Sequence, residues 1–235
     1  MSVSRFGVAL RALAGTAVAL VCQLPCAGTL HAAISQVATA TGTTGWWGAS
    51  SLSLSVPAGT VAGDVLIAQV AVRGTGNTIT APSGWTALLG DSKNSVRQNI
   101  YYRVAGSSEP ASYAFTFGAS ERGGGALLSY RGVDNAAPVN VSSTKNNSSS
   151  TTVTSTAVTT DITDATLLAL YSGAQVTSFT APSGMTETYD VSTGAGPNGV
   201  TVSASSLALT VVGSTGAKNA TLATAADNIA APDIQ

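Results

Sequence analysis

DVLIAQVAVRGTGNTITAPSGWT, residues 64–86, has a counterpart one hundred positions further along, DATLLALYSGAQVTSFTAPSGMT, residues 164–186. Seven positions match without a gap: Asp64, Thr80, Ala81, Pro82, Ser83, Gly84 and Thr86 with their partners at plus one hundred. Each block opens on an apolar run of strand length, which reads as a buried β-strand. Each closes on Pro-Ser-Gly, a turn signal in which Pro at the second position would fix φ and Gly would take a conformation other residues avoid. Trp85 and Met185 then start the next strand, where a large apolar side chain would close one end of a core. Two equivalent turns capping one sandwich, or a duplicated ligand site, would both leave this repeat; the first is the simpler reading.

Strand-like alternation continues outward in both directions. In SVRQNIYYRVA, residues 95–105, Val96, Ile100, Tyr102 and Val104 share one face, leaving Arg97, Asn99, Tyr101 and Arg103 on the other, expected to face solvent. SYAFTF and GALLSYRG supply two more strands, and TTVTSTAV, GVTVSASSLAL and KNATLAT supply others in the second half. With ISQVATA and SLSLSV near the start, this makes about a dozen short strands and no helical pattern. The expected fold is all-β: a single jelly-roll-like antiparallel β-sandwich with two pseudo-equivalent halves. Residues 142–152, SSTKNNSSSTT, form the one low-complexity stretch, either a linker between two domains or a surface crossover within one. One domain over 34–235 is favoured, because most aromatic residues precede Arg131 and the second half alone would lack a core. The tail AADNIAAPDIQ, residues 225–235, has little strand character, so the sheet is expected to lack a closing strand and to expose an edge open to self-association.

Residues 1–33 read as a secretory signal peptide: Arg5 and Arg11 precede the uncharged run ALAGTAVALVCQL, and small residues follow at Ala27, Gly28, Ala32 and Ala33. The run spans 12–24, too short for the roughly 20 residues of a membrane helix, and no longer apolar run follows, so a secreted or cell-surface location is expected. Cys22 and Cys26 are the only cysteines, and His31, the only histidine, sits at the margin of the leader. Their removal would leave no disulfide, no Cys nucleophile, no Ser/His triad and no zinc site built on His or Cys. Charged residues make up 9% of the chain, far below the roughly 25% usual in soluble proteins. Without Arg5 and Arg11, the ten basic residues fall to eight against eleven acidic ones. No basic patch stands out, so nucleic acid is not an expected partner.

VAGDVLIAQVAVRG, ITAPSGWTAL, YYRVAGSSEPASYAFTF, GGALLSYRGVD and FTAPSGMTETYDV together resemble a module of bacterial secreted, cell-surface and phage-associated proteins, over roughly Ser53 to Lys218. The resemblance implies a jelly-roll-like sandwich working at an extracellular surface and transfers no catalytic residues.

Candidate binding groups are few. Trp46 and Trp47, flanked by Gly45 and Gly48, would face opposite sides of a strand, one ring in the core and one free as a platform for a sugar ring. Arg97, Tyr101 and Arg103 could bind an acidic or hydroxylated glycan from the face expected to be solvated. Calcium is the one ion with conceivable ligands, at Asp134-Asn135 or at Asp161 with Asp164, though no dense acidic loop appears. Paired carboxylates could hydrolyse a glycoside, and Glu109, Glu121, Glu187 and Asp190 are the acids available. Gly123–Gly125 lacks the context of a phosphate loop. The expected function is therefore a non-enzymatic binding or adhesion module for glycan or another surface polymer, without a cofactor. The alternative is a structural component of an envelope, fibre or phage-tail-like particle, and third comes a glycan-degrading enzyme.

Overall fold

The apolar runs of the repeat become β3 (Val65–Arg73) and β12 (Ala165–Gly173), each the middle strand of a path of five antiparallel strands, in a five-stranded and a seven-stranded sheet. Residues 65–72 and the whole of β12 are buried, which explains why both runs are apolar throughout and do not alternate. In this computed structural model, which describes residues 33–235 apart from 195 and 197, every regular element is a strand. The expected leader, with Cys22, Cys26 and His31, lies outside the described residues except for Ala33.

The two sheets are built alike. In the first, the order is β1 (Ser35–Thr43), β8 (Gly123–Arg131), β3, β6 (Val96–Val104) and β5 (Thr86–Lys93). In the second it is β10 (Lys145–Val153), β17 (Ala220–Ile234), β12, β15 (Thr201–Leu209) and β14 (Thr186–Ser192), with each strand filling the place of its counterpart. Edge β1 packs against β14, and edge β10 against β5, as a two-fold operation exchanging the halves requires. A third sheet of β2 (Ala49–Ser55), β7 (Ser112–Glu121) and β4 (Ile79–Thr80) covers the outer face of the first. In the second half, β13 (Phe179–Thr180) pairs with the start of β17, while β9 (Val141–Ser142) pairs with its end. A small ribbon of β11 (Thr159–Thr160) and β16 (Gly213–Ser214) completes the all-β, sandwich-like fold.

One core is shared by both halves. Val65, Ile67, Ile100, Leu128 and Tyr130 from the first sheet meet Leu168, Leu170, Val202, Ile229 and Ala231 from the second. At its centre stands a fully buried Gln69, whose Nε2 donates to Gln98 Oε1 at 2.7 Å and to the Tyr171 carbonyl at 2.9 Å. The Tyr189 hydroxyl donates to Gln69 Oε1, so every hydrogen-bonding group of this amide is used, as burial demands. Beside it, a Cβ on Gly125 would lie 2.4 Å from the Gln69 carbonyl oxygen. The run Gly123–Gly125 therefore lets β8 approach β3 closely and has no phosphate to bind.

The repeat is in phase at its turn and out of phase in its strands. Odd residues of β3 face the shared core, whereas in β12 the even residues Leu168 and Leu170 do, so a one-residue slip reverses the faces. Asp64 is buried, paired with Arg131 and accepting the Val61 amide; Asp164 is exposed in the left-handed region at φ 56°. Their identity in the sequence is not an equivalence in structure. Phase returns at the turns: Gly84 and Gly184 have φ of 85° and 78°, and Trp85 and Met185 both pack on outer clusters. The Met185 amide donates to the Pro182 carbonyl at 3.1 Å, which puts Pro at the first position of the turn and Gly at the third, as in type II, not Pro at the second.

The expected edge at the C-terminus is filled. β17 runs to Ile234 and lies inside the second sheet between β10 and β12, buried from Asn228 to Gln235. Pro232, unexpected in an interior strand, stands opposite Ser143, whose amide still donates to the Pro232 carbonyl at 3.0 Å. Proline cannot return that bond, and the neighbouring strand breaks there into β9 and β10. Most of the low-complexity stretch is thus β10, an edge strand of the second sheet.

Asp233 lies on the same face of β17 as Ile229 and Ala231, with Oδ1 unpartnered and Oδ2 accepting from Gln235 at 3.3 Å. Burial raises its pKa from 3.8 to about 7. With the folded value above the unfolded one, its contribution to stability is complete below pH 4, declines between pH 4 and 7, and is absent above. Asp233→Asn should therefore gain stability over the native protein progressively from pH 4 to 7 and hold a constant advantage above it. Urea unfolding across that range checks this; an advantage independent of pH would refute it.

Candidate functional site

Trp46 and Trp47 occupy a turn between β1 and β2, not a strand, and neither ring enters the core. Gly48 has φ 73°, and a Cβ there would lie 2.8 Å from the Glu121 carbonyl, so only glycine lets the turn sit this close to the end of β7. Thr44 fastens it. Its amide donates to the Gly123 carbonyl at 2.9 Å, and its hydroxyl donates to the Glu121 carbonyl at 3.1 Å while accepting the Gly123 amide at 2.9 Å.

Arg122, between β7 and β8, braces the turn. Its Nε donates to the Trp46 carbonyl at 2.6 Å and its Nη1 to the Asn198 carbonyl at 3.1 Å, with the guanidinium carbon 4.4 Å from the Trp46 ring centroid. Gly196 lies against the same indole, where a Cβ would come within 2.4 Å. Trp46 is held this way at 38% exposure, whereas Trp47 is 91% exposed. The turn therefore presents one fixed indole and one free one.

The second half shows that the scaffold does not require this turn. Ser51 and Thr152 hold the same place, opposite Thr116 and Thr221, whose other partners are Thr80 and Thr180 of the repeated turn, so the Trp turn before Ser51 corresponds to the stretch of β10 before Thr152. There the chain continues along β17 as a bulged edge strand, and Asn147 bonds Asn228 at 2.9 Å. The tryptophans and Arg122 belong to one copy of a duplicated corner.

Arg97, Tyr101 and Arg103 do share a face of β6, but the third sheet covers it. Tyr101 is 5% exposed, accepting from Asn99 at 3.0 Å and donating to the Ile79 carbonyl at 2.7 Å. Arg97 donates to the Thr75 carbonyl at 2.8 Å. Arg103 pairs with Glu109 at 3.0 Å and lies 5.0 Å from the Tyr113 ring centroid and 5.9 Å from that of Trp85. Tyr113 donates to the same carboxylate, and burial together with that bond pushes its pKa up to about 12. These residues fasten the third sheet instead of forming a solvated glycan face. The signal lay in SYAFTF: Tyr113, Phe115 and Phe117 on one face need an opposing surface, and the odd face of β6 is part of it.

The other acids have separate commitments. Glu121 accepts from Asn77, and Asp190 accepts the Phe179 amide at 2.8 Å, its pKa raised by burial and by the nearby Glu187. Asp134 accepts the Ala136 amide, and Asp161 accepts from Asn140 at 2.6 Å. Among the described residues no group of three or more His, Cys, Asp or Glu is placed to hold a metal. A cavity of about 210 Å³, lined by Ile34, Thr166, Ala208 and Thr210 among others, lies at the end of β12 away from the Trp turn.

The chain matches no family model, no curated protein and no solved structure. Among the described residues no helix is long and apolar enough to cross a membrane.

The geometry separates the two indoles by stability. Trp46→Ala should lower unfolding free energy by about 1–2 kcal/mol through lost packing and cation–π contact, and Trp47→Ala should change it by less than about 0.5 kcal/mol. Urea unfolding of both variants decides; an equal loss would make Trp47 structural.

Proposed function

We propose that the protein is an exported, non-enzymatic binding or adhesion module that engages a glycan or another surface polymer through its Trp46–Trp47 turn. The observation that carries this reading is the 91% exposure of Trp47 on a turn fixed by Thr44, Gly48 and Arg122. A turn whose backbone is already fixed loses little conformational entropy on binding, and the apolar face of the Trp47 indole suits the CH face of a sugar ring. The leader and the resemblance to bacterial surface modules support an extracellular setting, and no cofactor is required. Of the two features behind the assembly reading, the Ser/Thr-rich strands remain, while the place of the doubtful last strand is taken by β17, an interior strand.

Binding of the exported protein to a panel of immobilised polysaccharides, with and without calcium, tests the proposal. Trp47→Ala should weaken binding roughly tenfold or more while leaving the melting temperature unchanged. A folded protein that binds no polymer, or a variant that binds as well as the native chain, would overturn it.

A further inference from the structure

The ion pairs of the protein leave one guanidinium at the Trp turn without a counter-charge. Among the described residues, the pairs are Arg103 with Glu109 and Arg131 with Asp64. Residues 1–32 contain neither Asp nor Glu, so the remaining chain has no carboxylate to add. Arg122 has its Nε and Nη1 on two carbonyls, and its Nη2 has no protein partner among the described residues. The acids nearest in the chain and sheet are turned elsewhere: Glu121 accepts from Asn77, and Asp227 accepts from Asn94 at 3.2 Å. Arg73 adds a like charge within coulombic range of Arg122, although Asp227 acts on Arg73 more strongly. Its own donor goes to the Ala174 carbonyl, again an uncharged partner.

The position of this charge matters more than its sign alone. Arg122 Nε bonds the carbonyl of the peptide that joins Trp46 to Trp47, and its planar fork lies on the Trp46 ring, in the same turn that carries the exposed Trp47. A guanidinium held by carbonyls at two nitrogens is already oriented, and a carboxylate is the group its remaining edge fits best. Apolar stacking surface and unpaired cation are then carried by the same turn.

We infer that the Trp46–Trp47 turn is selective for acidic polysaccharides, a sugar face packing on Trp47 and its carboxylate meeting Arg122. This inference rests on the binding role proposed above and names the ligand's charge.

Polygalacturonate and its fully methyl-esterified form test it, because the two share a backbone and differ in charge. The native protein should bind the acid at least roughly tenfold more tightly, with the preference falling as salt rises from 50 to 500 mM. Arg122→Gln should lower affinity for the acid at least about fivefold more than affinity for the ester, bringing the two within about twofold, and Arg122→Lys should keep part of the preference. A loss common to both polymers reports the weakened brace, which near-ultraviolet circular dichroism of the tryptophans checks, and the acid-to-ester ratio reports the charge; a ratio unchanged in Arg122→Gln would overturn the assignment. Equal native affinity for acid and ester would overturn the charge assignment and leave the binding role standing. Binding to neither would overturn both, and binding only to anionic lipid vesicles would replace the polysaccharide with a membrane surface.

Discussion

Everything else in this fold hangs on the burial of β3 and β12 against each other. Each central strand is covered on its outer face by its own half and on its inner face by the other half, so neither sheet would have a complete core alone. Burial is not directional, and two smooth apolar sheets could slide. Gln69 supplies direction: its amide joins β3 to Gln98 on β6, to the Tyr171 carbonyl on β12 and to Tyr189 on β14. Displacing one sheet along the other would break the bonds to Tyr171 and Tyr189 and leave buried groups unpaired, at roughly 1–3 kcal/mol each. The clasp fixes how two copies of one motif face each other.

That constraint explains how the corner bearing the tryptophans can be specialised. In the second half the corresponding stretch of β10, before Thr152, runs on as strand, and Asn147 meets Asn228. In the first half the same corner folds outward, anchored by Thr44 and Gly48 and braced by Arg122. Because the shared core is satisfied elsewhere, exposing a large indole here does not weaken it. The protein's sparse charge sharpens the contrast, since an unpaired Arg122 stands out on a surface otherwise built largely of hydroxyl and amide groups.

Much of the fold was legible in the sequence because period-2 alternation and turn residues are local signals. The strand character of both halves, the repeat and its Gly-dependent turn all follow from them. What could not be read depended on partners far away in the chain. Arg97, Tyr101 and Arg103 looked solvated because a covering third sheet is invisible to the alternation of β6 alone. The tail looked irregular because Ala, Asp, Asn and Pro are weak strand formers, yet β17 is held by neighbours on both sides, and tertiary context outweighs propensity. The serine-rich stretch looked like a crossover for the same reason. Of the candidate site, the Trp pair was visible as two unusual letters, but its brace, Arg122, lies 76 residues away and carries no local signal.

Native-state hydrogen exchange on residues 34–235 tests the shared core most directly. If the halves form one cooperative unit, the slowest amides of β3 and β12 exchange through the same opening, with equal free energies and equal denaturant dependence. Slow exchange in β3 together with a distinct, lower-energy opening in β12 would show two independently folding halves and contradict the account.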